Sequence, residues 1–184
     1  MILLMPELEA KFFRDQINIL APDLQILSAN SDTELEKAVA HSQYPCHLFG
    51  FMTPVYVPSR HLSQLAKAYN LHPGPPSRPG FRPTHFAILE RDREFGVTLH
   101  EMAPQIDAGT IVTTRYFGIE DLDTIPALEE RAYVEALSLV QDYLPVILGM
   151  KEPAPYLGKD WSGAKMRSQD LQELEVRQKE NPPK

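Results

Sequence analysis

The feature that most restricts this chain's fold is the alternation of short apolar runs with helix-period patterns between residues 1 and 72. Met1–Met5 (MILLM) is a continuous apolar run bounded by a proline, the pattern of a strand buried on both faces. Pro6 suits a first helical turn, and Glu7 and Glu9 favour its positive end. Leu8, Phe12, Phe13, Ile17 and Leu20 predict one apolar face for this helix, which Pro22-Asp23 ends. Leu24–Ala29 reads as a second strand. Ser31 and Glu34 have capping-box spacing and open a helix to about His41. His47–Phe51 is a third strand, a helix from Ser59 to Lys67 follows, and Ala68–His72 is a fourth strand. Strands separated by helices in this way make an α/β fold: an open, mostly parallel twisted sheet with helices on both faces.

The rhythm breaks at His72–Pro83 (HPGPPSRPGFRP), which holds five of the chain's 17 prolines. Proline fixes φ and donates no backbone hydrogen bond, so the segment is stiff and extended. It leaves a strand at its carboxyl end, where open α/β sheets bind ligands, and is therefore a site candidate. A helix over Thr84–Arg91 follows, then strands at Phe95–Met102 and Thr110–Ile119, close enough to pair antiparallel across an Asp107-Ala108-Gly109 turn. An apolar stripe from Ile125 to Ile147 marks a long helix. Residues 1–150 form the expected catalytic domain. Residues 151–184 are a polar tail, with an amphipathic helix around Asp170–Gln178, expected to pack against the domain or a partner.

Charge and cysteine content narrow the function classes. With 18 Lys and Arg against 25 Asp and Glu, the net charge is −7, which argues against nucleic acid as the main partner. A single cysteine, Cys46, cannot form an internal bridge and fits a reducing, cytoplasmic setting. No apolar run approaches the ~18 residues of a membrane span, and the amino terminus lacks a signal-peptide pattern. Nucleotide-binding glycine motifs and a nucleophile elbow are absent too.

The chemistry-bearing residues lie in the middle. Strand alternation puts Asn70 and His72 on one side, an amide able to donate to an oxyanion beside an imidazole able to move a proton. Asp107, in its turn, would fix the imidazole's tautomer if the fold brings the two together. His72, His85, His100 and Asp107 show no recognised metal-ligand spacing, so no metal is expected.

Taken together, Gly50-Phe51-Met52, Asn70-Leu71-His72-Pro73, Ala87-Ile88-Leu89, Gly96-Val97-Thr98-Leu99-His100 and Asp107-Ala108-Gly109-Thr110-Ile111-Val112 resemble the catalytic core of the folate-dependent formyltransferases. That family includes glycinamide ribonucleotide, methionyl-tRNA and aminosugar formyltransferases and formyltetrahydrofolate hydrolases. The resemblance implies a Rossmann-like formyltransferase fold and 10-formyltetrahydrofolate as co-substrate. It implies transfer of a formyl group to a primary amine of a small molecule: an aminosugar, a modified amino acid or a natural-product precursor. By the same resemblance, Asn70 stabilises the oxyanion, His72 moves protons, and Asp107 orders the histidine. Met52, Thr53, Pro54 and Val55, with Met102, Ala103, Pro104, Gln105 and Ile106, would wrap the pterin ring. Gly74, Arg78 and His100 are expected at the acceptor.

The loop Gly74–Gly80 departs from the family pattern and is expected to set acceptor specificity. The carboxy-terminal barrel of the methionyl-tRNA enzymes is not expected in a chain of this length. A hydrolase releasing formate, and a non-catalytic folate-binding relative, are the alternatives. A homodimer is compatible with all three.

Overall fold

The computed structural model describes residues 1–43 and 45–180. Six strands, β1 (Ile2–Leu4), β2 (Leu27–Ala29), β3 (His47–Phe51), β4 (Lys67–His72), β5 (Glu94–Glu101) and β6 (Ile111–Gly118), form one sheet in the order β2-β1-β3-β4-β5-β6. β2, β1, β3 and β4 are parallel; β5 pairs antiparallel with both β4 and β6. The helices are α1 (Glu7–Leu20), α2 (Asp32–His41), α3 (Ser59–Leu62), α4 (Pro83–Leu89), α5 (Ile125–Ile147) and α6 (Ser168–Glu180). This is the open, mostly parallel sheet expected from the strand–helix alternation.

The period of two along each strand divides the core between two faces. Leu3 of β1, Phe49 and Phe51 of β3, Tyr69 and Leu71 of β4 and Phe95, Val97 and Leu99 of β5 pack with α1 and α5. Ile2, Leu4, Leu48 and Ala68 point the other way, to α2 and the α3 region. Asn70 and His72 share the side of Ala68, and Thr98 and His100 alternate away from Val97 and Leu99. The polar set therefore lies on the second face, toward the carboxyl end of β4.

Local signals explain the boundaries and the departures from expectation. The Ser31 hydroxyl accepts from the Glu34 amide at 3.3 Å, and Glu34 accepts from the Asn30 amide at 2.9 Å, one residue before the usual capping-box partner. In α1 the buried stripe is Ala10, Phe13 and Ile17, whereas Leu8, Phe12 and Leu20 are exposed. The sequence offered more apolar positions than one stripe can bury, and contact of Phe13 with the β3 aromatics selects the rotation. The second strand is only Leu27–Ala29, the length over which β1 can pair with it. The third helix stops at Leu62 because the chain turns into β4, with the Ala66 amide bonded to the Cys46 carbonyl at 2.8 Å.

Among the described residues no helix is long and apolar enough to cross a membrane. The tail is not a free appendage. Ser162 and Met166 donate backbone amides to Pro76 and Pro79, and Phe81 donates to Met166, so the tail pairs with the proline-rich loop. Phe86 of α4, Met166 and Leu171 of α6 form a small separate core beneath it. Residues 181–184 of the expected tail lie outside the described residues.

Phe13 is fully buried, its ring edge-on to Phe49 at 5.6 Å and to Phe51 at 5.3 Å. Phe13→Ala is expected to cost about 3–5 kcal/mol in urea denaturation, far more than Phe12→Ala on the neighbouring exposed position.

Candidate active site

Pairing of β4 with β5 sets Asn70 opposite His100 and His72 opposite Thr98. Asp107 comes from the loop after β5, which folds back across the sheet. Gly109 makes that return possible, because a Cβ there would lie 1.8 Å from the Glu101 carbonyl oxygen. Asp107 takes the left-handed region at φ 49°, a conformation Asp tolerates better than most residues. The result is a cluster: the His72 Nδ1 lies 3.3 Å from Asp107 Oδ2, and His100 Nε2 lies 3.5 Å from Asp107 Oδ1. Asn70 Nδ2 is 3.2 Å from His100 Nε2.

Hydrogen-bond partners define the tautomers. A carbonyl oxygen only accepts, so His72 Nε2–H donates to Arg78 O at 2.8 Å and His100 Nδ1–H donates to Glu101 O at 2.8 Å. In the neutral His72 ring, Nδ1 is then unprotonated and faces the Asp107 carboxylate. In neutral His100, Nε2 accepts one Asn70 N–H, leaving the second N–H of that amide for a ligand oxygen. The Gly80 amide donates to Asp107 Oδ2 at 2.8 Å. The gap between His72 Nδ1 and Asp107 Oδ2 is a proton-receiving position, with two basic atoms awaiting one proton.

Asn70, His72, His100 and Asp107 line a cavity of about 610 Å³. Met52, Thr53, Pro54 and Val55 form one wall; Met102, Ala103, Gln105 and Ile106 form another. Pro104 does not line it, but its carbonyl accepts from the Tyr56 hydroxyl at 2.8 Å, tying the two walls together. Gly74 and Arg78, expected at the acceptor, are not in the lining. Gly74 lies behind His72: a Cβ there would come within 2.5 Å of His72 Nε2. The Arg78 guanidinium turns away, bonded to both oxygens of Asp92 at 2.9 and 2.7 Å and to Glu90. These two residues place the histidine from behind, which their sequence positions did not reveal. His85 stands apart, 3.6 Å from Glu129.

Among the site residues that sequence reasoning missed, three belong to the tail. Lys165 and Met166 of the tail line the cavity. Trp161 sets its ring against His100 (centroids 5.0 Å apart) and His72 (5.7 Å), and its Nε1–H donates to Gly109 O at 2.7 Å. The one available signal was a lone tryptophan in an otherwise polar tail.

Burial depresses the His72 pKa below its ordinary value, against the opposing pull of Asp107 and the Arg78 carbonyl. Burial also works against ionised Asp107, but the polar neighbours His100 and His72 and the Gly80 amide outweigh it and hold the carboxyl low. Both shifts are downward, so the stability each group contributes is present above its unfolded value and lost as pH falls. For His72 that loss begins below the ordinary 6.5, and for Asp107 below 3.8. The urea midpoint of the wild-type protein is expected to fall between pH 6.5 and 5, and that of His72→Gln to fall less over the same range.

No protein-family model matches the chain. Among curated proteins, it is 34% identical over 102 residues to methionyl-tRNA formyltransferases of Streptococcus pneumoniae strains, a match covering 54% of this chain and 33% of those proteins. It thus spans about a third of the length of these relatives. Among solved structures, the formyltransferase PseJ from Anoxybacillus kamchatkensis superposes with a TM-score of 0.73 at 22% identity, over 95% of this chain and 89% of that one. That structure holds UDP-4,6-dideoxy-4-formamido-L-AltNAc and tetrahydrofolate. An N-formyltransferase from Helicobacter canadensis, in complex with folinic acid and dTDP-3-aminofucose, gives 0.73 at 18% identity over 92% of this chain and 71% of that one. HypX from Aquifex aeolicus, in complex with tetrahydrofolic acid, gives 0.59 at 22% identity over 94% of this chain and 30% of its own. The resemblance carried by the sequence motifs holds: the chain has the formyltransferase fold and, over 102 residues, is similar in sequence to methionyl-tRNA formyltransferases.

Proposed function

We propose that this protein is an N-formyltransferase that moves the formyl group of 10-formyltetrahydrofolate to a primary amine of a small molecule, of the aminosugar type. One observation carries the reading. An amide donor, Asn70, and a proton-receiving pair, His72 and Asp107, converge on one cavity that the Met52–Val55 and Met102–Ile106 segments wall with mostly apolar groups. Such a cavity suits a flat heteroaromatic ring, and its volume lies in the range of small-molecule sites.

Acyl transfer of this kind needs an oxyanion donor and a proton carrier but no covalent nucleophile. The free N–H of Asn70 donates to the formyl oxygen as the amine nitrogen adds to the carbonyl carbon and negative charge collects on that oxygen. The gap between His72 Nδ1 and Asp107 Oδ2 receives the proton released by the new C–N bond. There it forms an imidazolium–carboxylate pair, which the Gly80 amide and the Arg78 carbonyl are placed to hold. The same proton returns to the folate nitrogen as the old C–N bond breaks. A downward-shifted His72 is neutral, and so basic, near pH 7.

The net charge of −7 favours a small acceptor over a nucleic acid, and a reducing cytoplasmic setting suits lone Cys46. The titration heat with tetrahydrofolate, and turnover of 10-formyltetrahydrofolate with a panel of amino-sugar nucleotides and other amines, test the proposal. Wild-type protein is expected to form the formamide. Asn70→Ala, His72→Ala and Asp107→Asn are each expected to lose about 10²–10⁴-fold in kcat with an unchanged circular dichroism spectrum. Formate released equally well without amine would make the protein a hydrolase, and absence of any folate binding would sink both enzyme readings.

A further inference from the structure

We propose that Trp161 is a positioning residue of this site, sealing the flank of the His72–Asp107–His100 cluster against water, so that the carboxy-terminal segment is part of the active site. The inference rests on the formyl-transfer reading and extends it to the choice between amine and water.

The geometry is specific. The indole meets the His100 ring at an interplanar angle of 90° and the His72 ring at 64°, both edge-on contacts. Pairs of this kind are oriented by the ring quadrupoles as well as by burial. The indole Nε1–H is held by Gly109 O, two residues after Asp107, so one side chain fixes both imidazoles relative to the Asp107 turn. Both imidazoles line the cavity, whereas Trp161 does not. It therefore covers a flank of the cluster that the cavity does not reach. Trp161 is itself partly buried, while His72 and His100 are 3% and 2% exposed. The indole is thus the partition between the histidines and bulk solvent on that side.

The segment bearing this ring is built to stay in place. Ser162 bonds Pro76 at 3.0 Å, Met166 bonds Pro79 at 2.9 Å, and the Tyr156 hydroxyl bonds Thr114 at 3.1 Å. Its anchors are the proline-rich loop and β6. The loop is the same one whose Arg78 carbonyl holds His72, so tail and histidine share one support. The charged and titratable groups around His72 are Asp107 and His100, with the Arg78 carbonyl on its other nitrogen. Asp160 accepts from the Trp161 backbone amide at 3.1 Å.

Opening that flank would admit water next to the proton-receiving gap. Water would then add to the formyl carbon in place of the amine. The carbon–nitrogen bond to folate would break, formate would leave, and the water's proton would pass through His72 to the folate nitrogen. The dry flank thus favours transfer over hydrolysis, and it also maintains the burial that keeps His72 neutral.

Two measurements test this. Trp161 is the chain's one tryptophan, and a protonated imidazole in contact quenches indole emission far more than a neutral one. Emission of the wild-type protein, with no substrate present, is expected to fall on acidification with a midpoint below 6.5. The His72→Gln/His100→Gln double variant is expected to lack that transition. Wild-type emission that stays flat until the protein unfolds in acid, or a transition unchanged in the double variant, overturns the proposal.

In the second measurement, Trp161→Ala is expected to move the acid limb of kcat/KM upward by about half a pH unit or more. It is also expected to raise formate release relative to formamide several-fold, while Trp161→Phe, which keeps a ring edge, stays near wild type. A folded Trp161→Ala variant with the wild-type acid limb and product ratio overturns the proposal. Should Trp161→Ala fail to fold, the emission titration and Trp161→Phe decide. Should wild-type protein consume no formyl donor, the functional proposal fails by itself, and the emission titration still judges the seal.

Discussion

The arrangement of this site depends on how one imidazole is held. His72 gives its Nε2 proton to the Arg78 carbonyl and turns Nδ1 to Asp107, so each nitrogen has a single role. That division requires the Arg78 carbonyl to be fixed, and three features fix it. Prolines stiffen the loop that carries it. The Arg78 guanidinium forms a two-pronged bond to Asp92 just beyond α4, a geometry that sets direction as well as distance. Absence of a side chain at Gly74 leaves room for the ring. The same loop supplies the Gly80 amide to Asp107, so both halves of the proton-receiving pair are set from one segment.

The reversed strand is the second device. β5 runs antiparallel to β4, which places His100 beside Asn70 and brings the chain back for the loop that carries Asp107. That loop must cross the sheet face to reach His72, and its close contact with the Glu101 carbonyl is what makes the crossing short. On this face the proline-rich loop and the carboxy-terminal segment pack beside the ends of β4 and β5, with Trp161 against the two imidazoles. A buried cluster of two histidines and a carboxylate is costly unless its members satisfy one another, and here every ring nitrogen and both carboxylate oxygens face a polar partner.

Much of this was legible in the residues. The period of two along β4 places Asn70 and His72 together, and the spacing of Ser31 and Glu34 marks the start of α2. The Asp107-Ala108-Gly109 turn announces a tight return. Less legible was the rotation of α1, since Leu8 and Phe12 are as apolar as Phe13 and the choice among them is made by the β3 aromatics. The direction of Arg78 was not legible either. A cation in a loop beside a histidine reads as a ligand contact until Asp92 and Glu90, brought in by the end of α4, claim it. The tail gave least warning, because its polar composition hides the few apolar side chains that dock.

The amino-acid sequence by itself determined the class of fold and the identity of the chemical groups. Hydrophobic periodicity and turn residues act over a few positions, and those local constraints survive in any surrounding. Only the tertiary structure decided which groups meet. His72, His100, Asp107 and Trp161 come from four separate segments, and their distances follow from strand pairing, loop crossing and burial acting together. Burial is also what lowers the His72 pKa, and no short stretch of sequence contains it, because the surfaces that exclude water are contributed from across the chain.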